Sequence, residues 1–259
     1  MMKIYVFGSC SGTEPFPDRH QTALALEVDG RLFWFDAGEG CGYTSHMMGV
    51  DLMHVSDIFI SHTHMDHVGG LPHLLWTIRK LHTRTHRLPK YGDITVYIPT
   101  PESFEGVWAM LKNSEGAYKA PYSTICHVIE DGVLYKDEKT TVIAKHNLYK
   151  APTSAGFQSF SFVVETNGKR IIYTGDLESI EELDALIAEG CDVLLTETGH
   201  HTPTDICYKA KERGVGHLYL LHHGRYIMQN YDEALCECLN VMPNVTLCND
   251  KDVFEISEE

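Results

Sequence analysis

The chain of 259 residues lacks any apolar run close to the roughly 20 residues that a membrane-spanning helix requires. It also lacks, at its start, the apolar segment of roughly 7–15 residues that is typical of a secretory signal peptide, because the run from Lys3 to Phe7 ends at Gly8. This opening segment is typical of a first β-strand. We therefore expect a cytoplasmic protein that has no membrane partner.

A disulfide framework is also missing. The eight cysteines are scattered along a long chain that shows no signal peptide, which argues against structural disulfides. Cys236 and Cys238 form the one close pair, but thiols two residues apart on a predicted helix point to different sides. We therefore expect the cysteines to be structural or incidental thiols.

Positive residues are outnumbered, because 21 Lys and Arg stand against 36 Asp and Glu, which gives a formal net charge of −15. The richest basic segment, Arg79 to Lys90, is short and is interrupted by neutral residues. An acidic surface repels nucleic-acid phosphates, so the charge argues against a nucleic-acid partner. A small anionic molecule that reaches a local site is the substrate we expect.

The chain contains no linker, low-complexity stretch or short-period repeat, and we expect a single domain over residues 1–259. Short runs rich in β-branched and aromatic residues come first and then alternate with helix-like segments, in two successive rounds. This order predicts an α/β protein with two sheets and helices packed outside them. The predicted helices are Val68–Lys80, Ser103–Leu111, Ile180–Ala188, Thr204–Glu212 and Asp232–Leu239.

Two local signals set element boundaries. Asn167-Gly168 is typical of a tight hairpin turn between the predicted strands Ser159–Glu165 and Arg170–Thr174. Ser179 followed by Glu182 has the spacing of a capping box at the start of a helix.

The segment from Ser61 to Gly70, with the sequence SHTHMDHVGG, carries the strongest chemical signal. It holds three imidazoles and a carboxylate within six residues, directly after the predicted strand Asp57–Ser61 and before a helix. Without a metal, imidazoles packed together repel when charged and leave unpaired nitrogens when neutral. Imidazole and carboxylate are ligands that zinc favours. In a strand-to-helix loop, His62 and His64 can serve one ion while Asp66 and His67 serve another.

One loop cannot complete two coordination spheres, so we expect further ligands at later strand ends. Three candidates occur in order along the chain. His146 ends the strand Thr140–Lys145, Asp176 follows the strand Arg170–Thr174, and His222 ends the strand His217–Leu221. A lone histidine at a strand end is usually not a ligand, but three such termini beside the first cluster favour metal binding.

These motifs resemble the metallo-β-lactamase superfamily over nearly the whole chain, and in detail its ribonuclease Z branch and that branch's phosphodiesterase relatives. The resemblance is carried by Gly8–Gly12, Phe35–Gly40, the His62–His67 motif, His146, Thr174–Asp176, Glu197–Pro203 and Leu221–Tyr226. It implies a four-layer αββα sandwich of two mixed β-sheets with the helices outside.

The resemblance also implies roles for individual residues. Metal one would take His62, His64 and His146. Metal two would take Asp66, His67 and His222, while Asp176 would bridge the ions. Asp36 would support the site from behind the ligands, Asp66 would also orient the attacking hydroxide, and His200 would help with proton transfer. The adjacent His201 and His223 are taken as bystanders.

The predicted function is hydrolysis of a small or cyclic phosphodiester through a hydroxide shared by two divalent ions. Zinc is the expected metal, although histidine and carboxylate ligands also accept manganese, iron or nickel. A thioester or lactone hydrolase and a non-catalytic metal-binding sensor or accessory protein remain alternatives. A homodimer is possible, since relatives are commonly dimers.

A tRNA 3′ endonuclease of the ribonuclease Z type is disfavoured by length. Bacterial ribonuclease Z proteins usually carry a long arm that grips tRNA, inserted between the positions that correspond to His146 and Asp176. Here 29 residues (147–175) lie between those positions, and the Asn167-Gly168 hairpin accounts for part of them.

Overall fold

The computed structural model describes residues 2–154 and 156–257. Within these residues, fourteen strands form two seven-stranded sheets, and eight α-helices and two short 3-10 turns connect them. Both sheets are mixed, with parallel and antiparallel neighbours.

The first sheet has its strands in the order Val253–Ile256 (β14), Met2–Gly8 (β1), Ala23–Val28 (β2), Arg31–Phe35 (β3), Val55–Phe59 (β4), Ile94–Ile98 (β5) and Thr124–Val128 (β6). The second sheet has the order Val245–Leu247 (β13), His217–His223 (β12), Val193–Thr198 (β11), Lys169–Tyr173 (β10), Phe160–Thr166 (β9), Thr140–His146 (β8) and Gly132–Lys136 (β7).

The helices are Cys41–Met47 (α1), Met65–Val68 (α2), Leu71–Thr85 (α3), Pro101–Lys112 (α4), Glu182–Ile187 (α5), Pro203–Glu212 (α6), Arg225–Gln229 (α7) and Tyr231–Val241 (α8). Within the described chain, the structure confirms the five helices that the pattern predicts, each with bounds displaced by a few residues. The short helices α1, α2 and α7 were not predicted.

Strand β3 shows why the structure has four layers. Successive side chains of a strand point to opposite faces of the sheet. Phe33 and Phe35 pack into the core between the two sheets, whereas Leu32 and Trp34 pack against the outer helices. A third apolar cluster fills the space between the second sheet and its helices. The predicted αββα sandwich is therefore confirmed.

The predicted hairpin is present between β9 and β10. Asn167 has φ 46° and Gly168 has φ 75°, and left-handed conformations at both turn residues match the twist of antiparallel strands. The capping box is present in altered form. Glu182 accepts a hydrogen bond from the Ser179 backbone N–H at 3.2 Å, but the Ser179 hydroxyl accepts from Glu181 rather than from Glu182.

In the part of the chain that the structure describes, none of the helices combines the length and the apolar character needed to cross a membrane.

Candidate metal centre

The candidate site lies where several strands end at a common edge of the sandwich. Strand β4 leads to His62, β10 leads to Asp176, and β12 carries His222 near its end. Strands β10, β11 and β12 are mutually parallel, so their carboxyl ends meet at the same edge of the second sheet. Side chains far apart in the sequence thereby converge.

The loop after β4 turns at once into α2. The carbonyl of His64 accepts backbone hydrogen bonds from His67 at 3.0 Å and from Val68 at 3.1 Å, which starts the helix. Asp66 and His67 lie in this first turn and are buried, while His64 precedes it and is exposed. A short helix thus directs two side chains inward, and the extended residues before it present the other two.

Five side chains from these segments form a tight group of donor atoms. The Nε2 atom of His67 lies 3.5 Å from Asp66 Oδ2 and 3.3 Å from Asp176 Oδ1. The Nε2 atom of His222 lies 3.1 Å from Asp66 Oδ2 and 3.3 Å from Asp176 Oδ1. His62 Nε2 is 3.6 Å from Asp176 Oδ2. Asp176 therefore lies between the imidazoles of His62, His67 and His222.

Asp36 sets the orientation of the cluster from behind. It is fully buried with φ 54°, and it accepts hydrogen bonds from the Ser61 N–H and hydroxyl at 2.7 Å and from the Tyr173 hydroxyl at 2.5 Å. It also accepts from Nδ1 of His67 at 2.7 Å. This hydrogen bond places a proton on Nδ1 of His67, so Nε2 is the ring atom that faces the cluster and is available to a cation.

Ser61 orients His62 in the same way, through a hydrogen bond to Nδ1. Because the hydroxyl of Ser61 donates its one hydrogen to Asp36, it accepts the hydrogen bond from Nδ1 of His62 at 3.1 Å. Nε2 of His62 is then an unprotonated acceptor. Burial lowers the pKa of His62 well below its ordinary value, so this imidazole is neutral and suited to bind a cation.

Buried atoms that have no hydrogen-bond partner test whether the site fits a metal. In the described residues they include Nε2 of His62, Nε2 of His67 and Oδ1 of Asp176, all within the cluster. Such atoms are costly unless something binds them. In the described residues, three groups with the ligand types of zinc can be formed: His62, His67 and Asp176; Asp66, His67 and His222; and Asp176, His200 and His222. The donor set therefore fits divalent metal ions.

A bulge in β12 turns His222 toward the cluster. The register with β11 shifts so that Glu197 pairs with Leu221 and Thr198 pairs with His223, which leaves His222 unpaired with φ 51°. Bulges of this kind re-aim side chains beside active sites. Gly199 makes room for the ring, because a Cβ atom there would lie 2.6 Å from Nδ1 of His222.

His200 lies at the edge of the cluster and is held by Glu197. The buried carboxylate of Glu197 accepts from the backbone N–H of His200 at 2.8 Å and from its Nδ1 at 3.0 Å. This hydrogen bond to Glu197 raises the pKa of His200. The Nδ1 atom is 3.9 Å from Asp176 Oδ2, and His200 forms with Asp176 and His222 a further group that could hold a metal ion.

His146 departs from the expectation. Its Nδ1 donates to Asp131 Oδ2 at 2.6 Å, and its exposed ring stacks on Phe157 with centroids 3.6 Å apart. Among the described residues it belongs to none of the groups that could hold an ion. The structure therefore does not bring His146 into the cluster, since the surface partners Asp131 and Phe157 hold its ring.

The position beside His62 and His64 is occupied by Tyr149 instead. The ring centroid of Tyr149 lies 5.1 Å from that of His62 and 5.5 Å from that of His64, in edge-to-face contact with both. His64 in turn contacts His62 edge-to-face at 4.6 Å, and among the described residues it too belongs to none of the groups that could hold an ion. Sequence reasoning missed Tyr149, because a tyrosine three residues after a strand end carries no ligand signal.

The two histidines expected to be bystanders have other partners. His201 donates from Nε2 to the carbonyl of Leu177 at 3.0 Å. His223 is fully buried between the Thr198 hydroxyl, 2.9 Å away, and the carbonyl of Cys248, 2.8 Å away. Among the described residues, neither histidine belongs to a group that could hold an ion. Glu197 was missed as a functional side chain, although its spacing of three residues before His200 was a visible signal.

A cleft of about 270 Å³ opens onto the cluster. Its walls include His64, Asp66, Tyr149, Asp176, Gly199, His200, His222 and the loop Ser11–Thr13. A small molecule in this cleft therefore meets the carboxylates, His200 and the Tyr149 hydroxyl together.

Known proteins share this architecture. A ribonuclease Z of Shouchella clausii is 26% identical over 318 aligned positions, which cover 99% of this chain and 98% of that protein. The crystal structure of the short form of human tRNase Z superposes with a TM-score of 0.74 at 22% identity, covering 98% of this chain and 99% of that chain. Unliganded yeast PDE1 superposes with a TM-score of 0.64 at 14% identity, covering 97% and 98%.

The sandwich, the His/Asp cluster at its strand ends and these likenesses define a metal-dependent hydrolase of the metallo-β-lactamase superfamily, in its ribonuclease Z-like branch. Within that class, the family model described as "Anti-Pycsar protein Apyc1" matches residues 2–234. The chain belongs to this family.

Proposed function

We propose that the protein hydrolyses a small or cyclic phosphodiester with the help of two divalent cations, zinc being the expected metal. The observation that carries the proposal is the convergence of Asp66 and Asp176 with three imidazoles around unpartnered buried atoms, at the base of a cleft. The fold likeness to yeast PDE1 adds support at the level of architecture.

Two ligand sets are proposed for the cations. Asp66, His67 and His222 would hold one ion, while His62 and His64 would hold the other, and Asp176 would contact both. When bound, paired divalent cations supply Lewis acidity, which polarises a phosphoryl group and makes water more acidic.

The chain's own residues would orient the reaction. Asp36 keeps the lone pair of His67 directed into the cluster, and Asp66 is placed to orient the attacking oxygen as well as to bind a cation. Glu197 holds His200 at the cleft, where we propose that it assists proton transfer to the leaving oxygen. Water attack and departure of the leaving group would thus be served by different side chains.

The size of the cleft and the charge of the protein favour a small substrate. A space of about 270 Å³ is near the low end of the range for small-molecule sites, roughly 300–1,000 Å³. The net charge of −15 opposes a long polyanion, whereas a single phosphodiester can be attracted locally by bound cations.

The test is elemental analysis of the purified protein, followed by assays on aryl and cyclic phosphodiesters, thioesters and lactones. We expect up to two metal ions per chain and turnover of phosphodiesters, with activity reduced in His200→Ala. A metal-replete sample that is inert on every phosphodiester but turns over thioesters or lactones would reverse the assignment of the substrate class. Undiminished activity of His200→Ala would remove the role proposed for that residue.

A second candidate, a tRNA 3′ endonuclease, is favoured by the full-length likeness to a protein named ribonuclease Z. The acidic charge and the short segment 147–175 argue against it. Cleavage of a tRNA precursor should be measured beside the small phosphodiesters at equal enzyme concentration. Efficient precursor cleavage with slow turnover of small substrates would replace our proposal by this candidate.

A further inference from the structure

Tyr149 and His200 form a hydrogen-bonded pair at the mouth of the metal cleft. The hydroxyl of Tyr149 lies 3.1 Å from Nε2 of His200, and their ring centroids are 4.9 Å apart. Both side chains line the cleft together with Asp66 and Asp176. The pair is therefore placed where a substrate would meet it.

Both nitrogens of His200 are engaged in this arrangement. Nδ1 faces the buried carboxylate of Glu197 at 3.0 Å and carries a hydrogen, because an ionised carboxylate only accepts. Nε2 is covered by the hydroxyl of Tyr149, which donates to a neutral imidazole and accepts from a protonated one, so Nε2 is occupied in both forms. The imidazole thus has no nitrogen left to contact a substrate unless Tyr149 moves away.

Building on the proposed function, we propose that the Tyr149 hydroxyl is the group that contacts the leaving oxygen of the phosphodiester. It is a catalytic residue, and His200 and Glu197 are positioning residues that act through it. The three side chains form a chain of hydrogen bonds from the buried carboxylate of Glu197 to the cleft.

The chemistry requires rotation of one hydroxyl hydrogen. As the oxygen of the attacking water bonds to phosphorus, the bond between phosphorus and the leaving oxygen breaks and its electron pair goes to the leaving oxygen. This charged oxygen is a stronger acceptor than a neutral imidazole nitrogen. The hydroxyl hydrogen of Tyr149 turns about its C–O bond toward this oxygen, which leaves as an alcohol after it takes up the proton that the attacking water gives up. Edge-to-face packing on His62 and His64 holds the phenol ring in place during the change.

The test is a Tyr149→Phe variant assayed on phosphodiesters whose leaving groups range from nitrophenol to simple alcohols. A donor to the leaving oxygen matters most where that oxygen develops the most charge. We expect kcat to fall on the order of 10²-fold for the alcohol leaving groups and to change little for nitrophenol. Metal content, measured on the same samples, should stay at the wild-type value.

Tyr208→Phe is the matched control, because Tyr208 lies on α6 with 61% of its surface exposed and outside the cleft. Glu197→Gln should show the leaving-group dependence of Tyr149→Phe, since it weakens the same chain of hydrogen bonds.

An equal loss of kcat for all leaving groups, or loss of metal, would assign Tyr149 a structural role and overturn the inference. A His200→Ala variant with the leaving-group dependence, beside a normal Tyr149→Phe, would overturn it in favour of direct contact by His200. A wild-type enzyme inert on the whole series would overturn the proposed function as well.

Discussion

At the scale of single residues, the second nitrogen of each histidine decides what the first can do. His67 donates to Asp36 and His62 donates to Ser61, so both leave Nε2 free in the cluster. His146 uses Nδ1 to bind Asp131 at the surface. Two of these three histidines therefore present Nε2 to the cluster and the third is held at the surface. The residue that binds Nδ1 determines which placement each histidine has.

An Asp36→Asn substitution tests this dependence on the second nitrogen. The amide cannot accept all the hydrogen bonds that the carboxylate accepts, so His67 can adopt the tautomer that protonates Nε2. We expect metal affinity to fall about 10–100-fold, as measured by competition with a chelator. The control is Asp57→Asn, which changes a different buried aspartate that lies on β4. Equal affinity in the two variants would contradict the role given to Asp36.

The placement of His146 leads to a second prediction. His146→Ala should retain wild-type metal content and lose at most about 1 kcal/mol of stability, the value of an exposed ion pair. His62→Ala should lose the metal ion that His62 would share with His64, as measured by elemental analysis. Loss of one ion in His146→Ala would restore that residue to the ligand set.

At the scale of elements, the interior strands were predictable, and three of the four edge strands were not. Strand β3 is buried from Leu32 to Phe35 and appears in the sequence as a compact apolar run. The edge strands β6, β7 and β14, which were not predicted, contain exposed and half-buried residues and no fully buried one. Pairing with a neighbour forms such strands, and the periodicity of a single sequence does not record that pairing.

Two glycine-to-alanine changes test the hairpin element against a matched helix. Gly168→Ala should destabilise the protein by about 1 kcal/mol, because its φ of 75° is left-handed and no neighbour crowds the new methyl group. Gly106→Ala, in the exposed interior of α4 and equally uncrowded, should stabilise by about 0.8–1.0 kcal/mol. Denaturant unfolding measures both. The same sign for the two changes would show that strain at the turn is not the cause.

At the scale of the whole molecule, the site concentrates negative charge inside an already acidic protein. Asp36, Asp66, Asp176 and Glu197 are all buried, and in the described residues histidines are their ionic partners. Packing these carboxylates together is unfavourable without compensation. Bound divalent cations would provide it.

Removal of metal should therefore lower the melting temperature. With free ion at one hundred times the dissociation constant, each site contributes about 2.7 kcal/mol. One kcal/mol corresponds to about 2–4 °C for a protein of this size. Differential scanning calorimetry with and without a chelator measures the shift, and added zinc should reverse it. A combined His62→Ala and His67→Ala variant should show a much smaller shift, and a wild-type protein indifferent to chelation would contradict a structural contribution of the metal.

The sequence by itself determined the class of the protein, because the ligand-rich segment His62–His67 and the strand ends at Asp176 and His222 retain their chemical character whatever surrounds them. It also determined the interior strands and the turn at Asn167-Gly168. Only the tertiary structure decided that Tyr149 rather than His146 lies beside His62, and that Glu197 holds His200. The physical reason is that the direction of a side chain depends on the partners it meets in space, and those partners come from strands distant in the chain.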